Sequence, residues 1–258
     1  MFGDKDLQSA LVRSLVVPGE LEAARTSAPD VIDWDTFEKF GGFITLGRHN
    51  FLWEALPLTR HFLAQTPVEM ELFTAWRGCH LSARFHKRPD RDAQITAFSA
   101  FAGDFLADRP GLIWLRDILV HESALWALRG DSKPESLDTG EASLHLRPAL
   151  RGRVRVLLLS SAPSELTTRA QTALAGKASV TFDWRWYIYH VPPGMAKLRA
   201  AEIDAIAAAF IAGVDGLRTA EDIAQSVAGN IPTSMAATYF QALTREGFIR
   251  WTSSGAAQ

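Results

Sequence analysis

The hydrophobic period of this chain changes across one polar stretch. In "RGDSKPESLDTGEAS", Arg129 to Ser143, Gly, Pro, Ser and Asp gather with almost no apolar residue, so the segment can bury little. Before it, from Asp4 to about Arg129, apolar residues recur every three or four positions, as in Trp34, Phe37, Phe40 and Ile44, or Leu112, Leu115, Leu119 and Leu125. That spacing predicts helices. After it, "SLHLRPAL", "RVRVLLLSS" and "VTFDWRWYIYHV" are extended runs rich in β-branched, Leu and aromatic residues, which predicts strands. The expected organisation is a helical domain over 1–130, a linker over 131–150 and a mixed domain over 151–258.

Breaks in the first half fall at "VVPGE", "SAPD", "LPL", "TPVE", "KRPD" and "DRPG", which divides it into six or seven helices. Asp33 and Asp90 stand where a side-chain oxygen can cap a first turn. In the second half "APSELTTRAQTALAG" reads as a short helix with Ser164 as its cap. The Ala-rich "AKLRAAEIDAIAAAFIAGVDG" has helix propensity throughout. "TAEDIAQSVAG" opens with a capping box of Thr219 and Asp222, and "PTSMAATYFQALTREG" has Pro232 before its first turn and Gly247 at its end. "FIRW" closes as a strand.

The 258 residues are 47% apolar, enough for a sizeable core. Charge is nearly balanced, 27 basic against 29 acidic residues, which gives no global attraction to nucleic acid or membrane. The single cysteine, Cys79, has no partner for an internal disulfide, and the opening residues lack the apolar core of a secretory signal, so a cytoplasmic location is expected. No run approaches the roughly 20 apolar residues that span a bilayer. "VHESAL" starts like a zinc-protease motif, but Leu125 occupies the place of the second imidazole. His80 and His86, six apart, form a poor chelate. A glycine-rich phosphate loop and a nucleophile elbow are both missing.

Three helices and a strand, with "DGLRTAEDIAQSV" and "YFQALTREGFI" at their joints, form the pattern of a winged helix. Through Asp215, Gly216, Thr219, Ile223, Leu243, Gly247 and Phe248 this part resembles the peptide-recognition domains of pathways that modify ribosomally made peptides, typified by the small chaperone of pyrroloquinoline quinone biosynthesis. In the first half "DWDTFEKFGGFI", "LPLTRHFL", "RDAQITAFSAFAGDFL" and "LIWLRDILVHESALWAL" resemble the helical partner proteins of multinuclear non-haem iron oxidative enzymes, including those of methanobactin and 3-thiaglutamate biosynthesis.

The resemblance implies a mainly α fold with a small β-hairpin, built from an N-terminal helical domain and a C-terminal winged-helix domain. It implies a non-catalytic subunit that forms a heterodimer with the iron enzyme. That enzyme would modify a peptide cysteine using oxygen, while this chain holds the leader and carries no metal or cofactor of its own. In the family the leader adds a strand to the hairpin edge.

Alternation along "SVTFDWRWYIYHVPPG" puts Phe182, Trp184, Trp186 and Ile188 on one face and Arg185, Tyr187 and Tyr189 on the other, and these seven residues are the candidate leader-binding set. The same run also reads as an ordinary core strand. His121 and Glu122 are candidates for facing the partner enzyme, with packing at a helix surface as the plainer reading. The alternative function is a winged-helix DNA-binding regulator with a ligand-sensing helical domain. Against it, "PTSMAATYFQALTREG" offers only Arg245 as a cation.

Overall fold

The computed structural model describes residues 9, 11–15, 20–27, 30, 32–82, 90–130, 142–176, 182–227 and 231–252, with backbone alone at 45, 48 and 78–82. The region expected as linker over 131–141, residue His86 and the side chains of Cys79 and His80 lie outside this description. The described chain is mostly helical with small antiparallel sheets. It divides into two units, Met1–Ser123 with Thr168–Ala178, and Ala124–Thr167 with Ser179–Gln258.

The first unit is helical. It contains α1 (Glu20–Ser27), α2 (Trp34–Arg48), α3 (Leu52–Ala55), α4 (Pro57–Leu63), α5 (Val68–Ser82), α6 (Arg91–Ala107), a 3-10 turn at Pro110–Leu112 and the start of α7 (Ile113–Ala127). Asp33 accepts hydrogen bonds from the N–H groups of Asp35 and Thr36, both at 3.1 Å, and so satisfies donors that the first turn of α2 leaves free. Asp90 occupies the corresponding place before α6, but its side chain makes no cap hydrogen bond. The core is an aromatic cluster in which Phe73 stacks on Phe98 at 5.4 Å, while Trp53 and Trp76 meet Phe98 edge-on at 6.2 and 5.5 Å. Helix α2 approaches α5 closely because Gly41 and Gly42 carry no side chain. A Cβ on Gly42 would stand 2.4 Å from Thr74 Oγ1.

The second unit holds β1 (Arg147–Leu150), β2 (Arg153–Leu159), the first residues of α8 (Leu166–Leu174), β3 (Arg185–Val191), β4 (Arg199–Ile203), α9 (Ala205–Gly213), α10 (Ala220–Val227), α11 (Thr233–Arg245) and β5 (Ile249–Thr252). Strand β1, inside the stretch expected as linker, pairs antiparallel with β5, Ala149 opposite Arg250. Strands β2, β3 and β4 form an antiparallel sheet in that order.

The sequence expectation of helix through residues 199–203 is corrected. "RAAEI" has helix-forming composition, yet these residues pair with β3 from Trp186↔Ile203 to His190↔Arg199. The ladder outweighs a propensity difference of a few tenths of a kcal/mol per residue. The helix begins only after Asp204, whose carboxylate accepts from Ala207 N–H at 2.8 Å.

Val154 and Ile188 of the sheet bury against Phe210, Ile211, Ile223, Phe240, Leu243, Ile249 and Trp251. Full burial of each such side chain contributes about 1.5–3 kcal/mol. Helix α9 is apolar around its circumference and buries Ala207, Ala208, Phe210, Ile211 and Gly213. The capping box is formed: Asp222 N–H donates to Thr219 Oγ1 and Thr219 N–H to Asp222 Oδ2, both at 3.1 Å. Gly216 and Gly247, at φ +75° and +77°, take left-handed conformations that a Cβ would disfavour.

Candidate functional site: a three-stranded sheet with open edges

The aromatic strand β3 is the centre of its sheet, not an edge. Its backbone faces β2 on one side, from Arg153↔Val191 to Leu159↔Arg185, and β4 on the other. The open backbone edges are therefore the outer sides of β2 and β4, neither of which pairs with a further strand among the described residues.

This geometry divides the candidate leader-binding set. Trp184 is 43% exposed, Arg185 is exposed, and Phe182 and Trp186 are half-buried, whereas Tyr187, Ile188 and Tyr189 are buried, Tyr189 completely. Strict alternation fails here because both faces of β3 are covered from Tyr187 onward. Burial raises the Tyr189 hydroxyl well above its ordinary value, and raises Tyr187 in the same direction. These phenols stay neutral and serve as packing groups. Only the four N-terminal members of the set keep exposed or half-exposed side chains.

Trp184 and Phe182 stack with ring centres 6.1 Å apart. Next to them Arg185 is held by two carboxylates. Its Nε donates to Asp183 Oδ2 at 2.9 Å, and its Nη1 donates to Glu202 Oε2 on β4 at 3.2 Å. Hydrogen bonds to these anions hold the guanidinium charged. Strand β4 is exposed on both faces from Arg199 to Glu202 and half-buried at Ile203. An accessible edge of this kind is a template for another strand, which charged residues such as Arg199 and Glu202 restrict to selected partners.

His190, behind this surface, is buried and its Nε2 lies 2.9 Å from the Arg151 carbonyl oxygen, so the proton on Nε2 is donated there. Burial holds its basicity below the usual histidine range.

The pair proposed to face a partner enzyme has a different setting. Glu122 is only 4% exposed, and its two carboxylate oxygens accept from the N–H groups of Leu58 at 2.8 Å and Thr59 at 2.7 Å, in the first turn of α4. Pro57 at the first position of that turn leaves the next two donors for this carboxylate. His121 is half-buried, and burial lowers its basicity. Among the described residues no group of three or more His, Cys, Asp or Glu is placed to hold a metal ion. No described helix is long and apolar enough to cross a membrane.

Sequence reasoning missed a cleft of about 690 Å³ lined by parts of α2, α5 and α6 and the turn after α6, among them Lys39, Met70, Glu71, Phe105 and Arg109. The guanidinium carbon of Arg109 sits over Phe105, 3.6 Å from its ring centre, and Arg109 pairs with Glu71 at 3.6 Å. Only the "DRPG" break, read as a helix stop, marked this place in the sequence.

No protein-family model matches the chain, and no curated protein matches it.

Proposed function

We propose that this chain is a non-catalytic partner subunit that binds the leader of a ribosomally made precursor peptide and presents its cysteine to an iron-dependent oxidative enzyme in a heterodimer. The observation that carries the reading is the exposed β4 edge beside the Phe182–Trp184 stack. The leader adds as a fourth strand along β4, main-chain hydrogen bonds supply affinity, and Trp184, Trp186 and the braced Arg185 select side chains. Tyr187, Ile188 and Tyr189 act from within, keeping the sheet in place. The three helices α9 to α11 with β5 are read as a winged-helix unit of the peptide-recognition type, and the helical unit as the part that docks on the enzyme. Tethering the leader raises the effective concentration of the core cysteine at the irons. Iron belongs to the partner, and the complex acts in the cytoplasm.

The test is co-expression with the flanking reading frames, followed by affinity purification and iron analysis. Recovery of an iron-loaded partner and retention of a precursor peptide support the proposal. Recovery of the chain alone, together with a salt-dependent mobility shift on operator DNA, would replace it with the DNA-binding regulator.

A further inference from the structure

Residues 142–164 contain four arginines, Arg147, Arg151, Arg153 and Arg155, and no aspartate or glutamate. They follow one another along β1, the β1–β2 turn and β2, and Arg250 lies across from Ala149 on β5. Three other arginines of the same unit are neutralised by carboxylates: Arg185 by Asp183 and Glu202, Arg218 by Asp215 at 2.7 Å, and Arg245 by Glu246 at 3.4 Å. Arg147, Arg151, Arg153 and Arg155 pair with no carboxylate among the described residues. Arg151 Nε and both Nε and Nη1 of Arg153 are buried without a hydrogen-bond acceptor. Withdrawing guanidinium donors from water without giving them acceptors is costly, and the exposed Arg155 leaves a further charge without a carboxylate partner among the described residues.

We infer that Arg153 and Arg155 on β2 mark a second docking surface, separate from the β4 edge, for an extended acidic segment of another protein that lies along the outer edge of β2. Two observations select a peptide. Arg153 and Arg155 are two residues apart on an edge strand and so share one face, about 7 Å apart. A strand added beside β2 repeats its side chains with the same period, so carboxylates at alternate positions meet both arginines in register. The planar fork of each guanidinium accommodates a carboxylate through two parallel hydrogen bonds. Nucleic acid is the poorer occupant. The chain's net charge is −2, and helix α11, the element that would enter a groove, carries one cation that is already paired with Glu246.

The probes are a synthetic peptide alternating glutamate and threonine, its glutamine–threonine counterpart, and random duplex DNA, each titrated into the full chain at low and high salt. The acidic peptide is expected to bind at least about tenfold more tightly than the neutral one, with affinity falling as salt rises. Arg153→Gln with Arg155→Gln is expected to remove most of that difference, and Arg245→Gln to leave it unchanged. The double variant's thermal midpoint is expected to equal or exceed the parent's, because it loses no internal partner. Arg155→Gln alone, at an exposed position, keeps the test usable if the double variant folds poorly. Equal binding of the two peptides, acidic-peptide binding indifferent to the arginine substitutions, or tighter binding of duplex DNA would overturn the inference.

Discussion

Glu122 on α7 and Thr59 on α4, 63 positions apart in sequence, are joined by a 2.7 Å hydrogen bond from the Thr59 N–H to Oε2, while Oε1 takes the Leu58 N–H. A carboxylate at this place satisfies two backbone donors and meets the positive end of the helix. Glu122→Gln keeps one acceptor and turns a donor toward the other N–H. The expected result is a loss of about 1–3 kcal/mol in unfolding free energy, measured by urea titration with an unchanged slope.

The approach of α2 to α5 reverses the usual sign of a glycine substitution. Inside a helix Gly→Ala ordinarily stabilises by about 1 kcal/mol. At Gly42 the new methyl would stand 2.4 Å from Thr74 Oγ1 and 3.1 Å from the Thr74 backbone N, and backbone cannot turn aside. Gly42→Ala is expected to destabilise by about 1–3 kcal/mol through overpacking. A thermal midpoint equal to or above the parent's would refute the close contact.

Several local features of this fold were legible in the sequence, although the Asp90 cap did not form, and distant ones were not. The Thr219–Asp222 box, the Asp33 cap and the glycine after α11 follow from residues within a few positions of one another, and each is present. Strand β4 was hidden because "RAAEI" is made of helix formers and becomes a strand only when β3 lies beside it. That missed strand moved the aromatic run from edge to centre, while packing on both faces withdrew Tyr187, Ile188 and Tyr189 from solvent. Glu122 drew notice as part of a near-motif, but its role depends on a helix start that no local pattern connects to it.

Acid should loosen the second unit through the carboxylates of the turn that leads into α10 and of its first turn. Asp215 accepts from the N–H groups of Arg218 at 3.0 Å and Leu217 at 2.8 Å and from Arg218 Nε at 2.7 Å, which holds it well below the ordinary aspartate value of 3.8. Asp222 is lowered by its bonds with Thr219. A carboxyl whose folded value is depressed contributes stability above the ordinary value, and that contribution is lost as pH falls from there through the folded value. The thermal midpoint of the parent should therefore drop below about pH 4 by more than that of Asp215→Asn. The two proteins should differ most near neutral pH and converge in strong acid. Parallel curves over this range would show that Asp215 is not responsible.

Trp184 and Tyr189 separate binding from folding within one segment. Trp184 is 43% exposed, and its stack with Phe182 is worth about 0.5–1.5 kcal/mol. Trp184→Ala should leave helical content intact and weaken binding of the leader by at least about tenfold, since an exposed aromatic beside a free edge is the usual anchor of such a contact. Tyr189 is fully buried at the middle of the sheet, and Tyr189→Ala should cost about 3–5 kcal/mol with binding lost only in proportion to unfolding. Circular dichroism with peptide titration on both variants distinguishes the two effects. Unchanged leader affinity in the folded Trp184→Ala protein would remove that residue from the binding surface and leave the β4 backbone as its principal element.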